Sequence, residues 1–164
     1  MRSFTLKSHS AEETIRTGEA LSLELASGDC IGFTGELGAG KTVFIKGIAM
    51  GMEITERITS PTFVITHQYK GKLPVYHFDI YRLDNISEFD ELGFEEYFFS
   101  DGVSLVEWAE KIKERLPENS LMIEISYIEG EESGREIVFS SSSPRWSRLE
   151  KKIKERLGYA YTGN

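Results

Sequence analysis

The run Gly35-Glu36-Leu37-Gly38-Ala39-Gly40-Lys41-Thr42 satisfies the pattern G-x-x-x-x-G-K-[ST]. Its residue types suit one chemistry, the holding of a nucleoside triphosphate. Glycines let the backbone curl so that successive N–H groups, over Glu36, Leu37, Gly38, Ala39, Gly40, Lys41, Thr42 and Val43, face phosphate oxygens. The Lys41 ammonium is placed to reach the β- and γ-phosphates, and the Thr42 hydroxyl to coordinate Mg²⁺. A helix after the loop adds its positive end to the anion site. A glycine-rich turn that merely contains Lys-Thr would satisfy the pattern alone. Here the apolar run Cys30–Thr34 precedes the loop and a helical pattern over 43–50 follows it, so strand, loop and helix occur together.

Such a site also needs an acidic group at the end of a neighbouring strand, holding Mg²⁺ directly or through water. Two apolar runs end in a carboxylate, Val75-Tyr76-His77-Phe78-Asp79 and Ser104-Leu105-Val106-Glu107. Asp79 and Glu107 are both candidates, and their spacing does not choose between them. Ser60-Pro61-Thr62-Phe63 offers two hydroxyls, Ser60 and Thr62. They can sense a γ-phosphate in a switch or cap a Pro turn that leads into a strand. His77, in an apolar alternating strand, reads as a packed core histidine, and Trp108 as core. His9, His67 and Cys30 show no metal-ligand spacing.

The elements that position these residues can be read from pattern. A short strand around FTLKS leads to a capping box at Ser10-Ala11-Glu12-Glu13, and the helix it opens is expected to end near Ala26, before a Gly28-Asp29 turn. The second helix is expected to stop at Gly51. Strands over 63–69 and 75–79 flank Gly71-Lys72 as a hairpin. Residues 84–101 carry seven acids and no Lys or Arg, interleaved with Phe89, Leu92, Phe94, Tyr97, Phe98 and Phe99, which suggests two short acidic helices. A strand over 103–107, a helix over 109–116 stopped by Pro117, strands over 121–128 and 137–139, and a last helix striped by Trp146, Leu149, Ile153 and Leu157 complete the chain. Strands alternating with helices imply an α/β, three-layer sandwich around a mixed, mainly parallel sheet. The whole of 1–164 is expected to be one domain. The serine run at 140–144 reads as a hinge that sets off a basic amphipathic helix and tail over 143–164.

Composition excludes other classes. With 164 residues, 40% hydrophobic and 28% charged, the chain resembles a globular domain and not a disordered one. No apolar run approaches a membrane helix, and the N-terminus lacks the apolar core of a secretory signal, so a cytoplasmic protein is expected. One cysteine permits no internal disulfide. The net charge of −8 argues against broad non-specific binding to nucleic acid.

GELGAGKT, SPTF, HFDIYRL and VEW occur in the order and approximate spacing of the TsaE (YjeE) family of bacterial P-loop ATPases, which the chain resembles from its first helix to about Ile128. The resemblance implies an ATP-hydrolysing accessory role in making N6-threonylcarbamoyladenosine (t6A) in tRNA. Its activity would be weak alone and would drive turnover of a TsaD–TsaB complex, with tRNA met indirectly through that complex. Carried over by position, Thr42 and Glu107 would hold Mg²⁺, Asp79 would order water beside it, and Ser60 and Thr62 would form the switch; Lys41, Asp79 and Glu107 would be the catalytic set. Where the family usually reads EWP, this chain has Glu107-Trp108-Ala109.

A small P-loop kinase acting on a nucleotide or other acceptor is the alternative. Kinases of that kind close an Arg-rich lid over the acceptor, and 84–110 contains no basic residue. A GTPase lacks support because no [NT]-K-x-D occurs, while a nucleotide-dependent scaffold of negligible turnover stays open. Two segments carry partner expectations. The acids of 84–101 either steer a basic partner or form an ordinary solvated face. The last helix, with six basic residues against two acids over 145–156, either contacts phosphates or covers the acidic body.

Overall fold

Strands that are apolar on both faces belong where helices cover both sides of a sheet. The computed structural model, which describes residues 2–59 and 65–158, has two such strands, β2 (Cys30–Thr34) and β5 (Val103–Glu107), side by side in the middle of one sheet. The full order is β1-β7-β6-β2-β5-β4-β3, with β1 at Arg2–Ser8, β3 at Thr66–Lys70, β4 at Pro74–Asp79, β6 at Leu121–Ile128 and β7 at Glu131–Ser141. The central strands β6, β2, β5 and β4 run parallel, whereas β1, β7 and β3 pair antiparallel towards the edges. Helices α1 (Ala11–Ser22), α2 (Lys41–Gly51) and α4 (Leu149–Leu157) cover one face around Phe33, Phe44 and Phe139. On the other face α3 (Ile86–Leu92) and two 3-10 helices (Phe94–Phe99 and Ala109–Arg115) pack around Phe78, Phe89 and Phe98. The expected three-layer α/β sandwich is therefore present.

The capping box forms with one difference. Ser10 Oγ accepts the Glu13 N–H at 3.1 Å, and the Glu13 carboxylate reaches the His9 N–H at 2.7 Å, one residue before the cap. Helix α1 ends at Ser22, not near Ala26. Residues 23–29 turn instead around the buried Asp29, whose carboxylate takes the Ala26 N–H at 2.7 Å. Gly51 is the last residue of α2, as expected, with Met52 as the cap. Its smallness serves packing: a Cβ at Gly51 would meet the Ser22 side chain, and one at Gly47 would run into the Ile15 carbonyl. Glycines thus bring α1 and α2 backbone to backbone, which fixes α2 and the loop before it.

Three other expectations shift. Residues 109–115 form an irregular 3-10 segment broken at Ile112 (φ −127°, ψ 25°), not a regular helix. Strand β7 is far longer than the expected 137–139, because pairing with both β1 and β6 holds polar residues that no local pattern marks. The serine run is no hinge at its start, since Ser140 and Ser141 lie within β7, and the Ser141 hydroxyl donates to the Ser120 carbonyl at 2.9 Å.

Helix α4 and the 3-10 turn before it (Pro144–Trp146) are fastened to the body through their cations. Arg145 pairs with the buried Asp29 at 2.7 Å, and Lys152 (2.7 Å) and Arg156 both reach Glu24. Burial alone would raise the Glu24 pKa, but the hydrogen bonds from Lys152 and Arg156 outweigh it and hold the carboxyl below its ordinary range. Lys154 and Lys151 pair within the helix, with Glu150 and Glu155. Ile153, Leu149 and Trp146 are buried beneath. The covering role is thus the one with structural support. Truncation after Ser143 is expected to cost on the order of 5 kcal/mol, from the burial of Trp146, Leu149 and Ile153 at about 1.5–3 kcal/mol each, which rivals a whole domain's stability. A thermal melt should show a large loss of Tm. An unchanged melt with partner-dependent activity gone would instead mark the helix as a binding element.

Candidate functional site

In an open sheet with parallel strands, sites form beyond the C-terminal strand ends. Here β2 delivers the glycine-rich loop at that edge, with β5 and β4 beside it. Gly38 (φ 79°) and Gly40 (φ 113°) take backbone conformations that side chains resist. Gly40 caps α2 without any side-chain hydrogen bond, so the first turn of α2 offers its N–H groups to an outside acceptor. Glu36 and Leu37 form the exposed tip, Ala39 is buried, and Val43 is half-buried in the first turn of α2.

Lys41 is only 5% exposed. Its Nζ donates to the carbonyls of Gly35 (2.6 Å) and Glu36 (2.9 Å) and lies 4.1 Å from the Trp108 ring centroid. Burial lowers its pKa, and the carboxylates of Glu107, Glu110 and Asp79 push back the other way. Thr42 donates its hydroxyl to Glu107 Oε1 at 2.9 Å, across 65 residues of sequence. Glu107 is nearly buried, with its second oxygen, Oε2, 2.7 Å from His77 Nε2. Asp79 stands opposite Glu107 in the register of β4 and β5, and its Oδ1 accepts the Tyr81 N–H at 3.1 Å. Lys41, Thr42, Asp79 and Glu107 are therefore brought together, as their spacing led us to expect. Ser60 and Thr62 lie outside the described residues.

Three contributors were not visible in sequence. Trp108 was expected to be simple core. It instead sits half-exposed in a left-handed conformation (φ 62°) with its ring against both Lys41 and Tyr81. Arg135, on β7, donates to the Ala39 carbonyl at 2.7 Å and stacks on Tyr127, whose hydroxyl approaches the Leu37 carbonyl at 3.4 Å. The β6–β7 hairpin thereby braces the loop from behind, and no local signal near 135 announces this. His77 is the third; as expected it is fully buried, but it bonds Glu107.

An open cavity of about 570 Å³ adjoins the loop, lined by residues that include Gly35, Glu36, Glu110, Glu124 and Tyr127. Cys30 is buried, and burial pushes its thiol up to about 12, so it is inert core. Among the described residues no three His, Cys, Asp or Glu side chains gather to hold a metal. The donors present are hard oxygens, one hydroxyl and one carboxylate 2.9 Å apart. That sparse set fits Mg²⁺, which keeps several waters and takes one or two carboxylates plus substrate phosphates. No helix among the described residues is long and apolar enough to cross a membrane.

The acidic segment is built as expected from two short helices, with Asn85 capping the first and Phe89 and Phe98 stacked beneath. Its acids are not all unpartnered, because Arg115 forks onto Asp90 at 2.8 and 2.9 Å.

Residues 8–137 match the family described as threonylcarbamoyl adenosine biosynthesis protein TsaE. A Bacillus subtilis (strain 168) protein named tRNA threonylcarbamoyladenosine biosynthesis protein TsaE is 41% identical over 150 residues, 91% of this chain and 92% of the relative. A Treponema pallidum protein of the same name is 41% identical over 118 residues, covering 72% and 87%. The crystal structure of Bacillus subtilis YdiB superposes with a TM-score of 0.80 at 35% identity, over 94% of this chain and 95% of that one. With the family matched over most of its length and the fold shared, the chain belongs to the TsaE family.

Proposed function

We propose that this protein is a cytoplasmic, ATP-binding and ATP-hydrolysing accessory of tRNA t6A biosynthesis that services a TsaD–TsaB complex and meets tRNA through it. The observation that carries the reading is the convergence of Lys41, Thr42 and Glu107 on one loop mouth. Membership of the TsaE family supports the t6A role.

The roles follow from the chemistry of each group. Loop N–H groups and the α2 N-terminus hold phosphate oxygens. Lys41 would exchange the neutral carbonyl acceptors of Gly35 and Glu36 for the charged oxygens of the β- and γ-phosphates, so that both partners of each bond are ionised. Thr42 and Glu107 would hold Mg²⁺. When bound, that ion supplies neutralisation of the developing phosphate charge. Asp79, beside Glu107, orients water for attack. Trp108 keeps bulk water from Lys41 and holds its ammonium against the loop, and Arg135 stops the loop from collapsing as its ligand leaves.

Phosphate release after mixing with ATP, with and without TsaD–TsaB, tests the reading. Slow release that the partners accelerate is expected. Asp79→Asn should bind ATP within about threefold of wild type yet release phosphate roughly 10²–10⁴-fold more slowly, the range for a lost general acid–base group. Transfer to a small acceptor instead of water would mark the kinase alternative. No turnover in either condition would overturn the assignment.

A further inference from the structure

His77 lies on β4 with no exposed surface, two residues before Asp79, and its Nε2 is 2.7 Å from Glu107 Oε2. Its other ring nitrogen, Nδ1, is buried without a hydrogen-bond partner among the described residues. A neutral imidazole has one N–H and one bare nitrogen, and a carboxylate only accepts. With the N–H on Nε2, the Glu107 contact is a hydrogen bond and the unpartnered Nδ1 is a bare acceptor. The reverse arrangement would set two acceptors 2.7 Å apart and leave a buried donor unpaired, which costs more.

This contact decides where the rest of Glu107 points. A carboxylate on a strand end can swing about two side-chain bonds before its terminal rotor, and each orientation it samples must be given up when it takes a ligand. With Oε2 clamped from the side by a ring that is itself packed beside Tyr69 (centroids 6.4 Å apart), Oε1 stays turned to the Thr42 hydroxyl at 2.9 Å. Thr42, Glu107 and His77 thus form one chain of contacts from the first turn of α2 across β5 to β4.

We propose that His77 is a positioning residue: its Nε2–H clamps Glu107 so that Oε1 and the Thr42 hydroxyl are held ready as a pair for Mg²⁺. The inference rests on the Mg²⁺–nucleotide reading of the site and adds to it a residue that touches neither nucleotide nor metal. Residues that hold a ligand from behind typically change metal affinity about 10–100-fold when lost.

Three measurements test it. In the wild-type protein without nucleotide, ¹⁵N-resolved imidazole spectra should show the proton of His77 on Nε2; a bare Nε2 would overturn the proposal, and this needs no variant to fold. Calorimetric titration with ADP, in Mg²⁺ and in EDTA, measures how much the metal adds to affinity. His77→Leu should lose about 10–100-fold of that Mg²⁺-dependent gain while its EDTA affinity stays within about threefold of wild type. His77→Gln, whose amide can donate from nearly the same place as Nε2, should recover most of the gain. A merely structural role would lower the melting temperature and both affinities together and would show no rescue by Gln. If His77→Leu keeps the full gain, the proposal fails while the metal reading stands. If wild type itself gains nothing from Mg²⁺, the metal reading fails and takes the proposal with it.

Discussion

Lys41→Ala is expected to lower ATP affinity by two orders of magnitude or more, about 3 kcal/mol, the size of charge-assisted hydrogen bonds lost together, and to end hydrolysis. The fold should not suffer equally. Burial already disfavours the Lys41 charge, so removing the ammonium relieves a desolvation cost even as it frees the Gly35 and Glu36 carbonyls. A melting temperature near that of wild type is therefore expected alongside a failed titration with a fluorescent ATP analogue. Unchanged affinity and turnover would refute the assignment of the loop.

Glu107→Ala carries the second large effect, and it has two parts. One is functional: Mg²⁺-dependent nucleotide binding should fall by about 10²-fold or more, since a carboxylate ligand is gone, whereas binding in EDTA should change little. The other is structural. Truncation strips His77 Nε2 of the carboxylate oxygen 2.7 Å away in the core, its one acceptor among the described residues, and an unpaired buried donor costs about 1–3 kcal/mol. Glu107→Gln retains an oxygen for His77 and should recover stability without recovering the metal effect. If Asp79→Asn instead loses Mg²⁺-dependent binding while Glu107→Ala loses only turnover, the two acidic roles are reversed.

What was legible in the sequence was whatever is local. The loop pattern, strand Cys30–Thr34 and strand Val103–Glu107 are short runs whose residue types leave little choice, and each stands where it was expected. That an acidic strand end would stand by the loop followed from what a phosphate site demands of a neighbouring strand, whereas the choice of Glu107 over Asp79 as the partner of Thr42 came only from the family resemblance. The features that sequence left unread depend on distant partners. Arg135 braces Ala39 from 96 residues away, and Glu24 and Asp29 absorb cations that looked available on α4 and the turn before it. Gly51 read only as a helix stop, and its packing role went unseen because Ser22 lies on another helix. Trp108 looked like core because nothing in a residue's type announces a left-handed backbone.

The central claim is that Thr42 and Glu107 together hold the metal of a nucleotide seated on the loop. The most direct measurement is anomalous diffraction from crystals grown with a non-hydrolysable ATP analogue and Mn²⁺ in place of Mg²⁺. A single manganese peak bound by Thr42 Oγ1, with the Glu107 carboxylate as its other protein partner directly or through one water, is the predicted result. A peak held by Asp79 with Glu107 turned away, or a bound nucleotide with no metal near Thr42, would contradict the account.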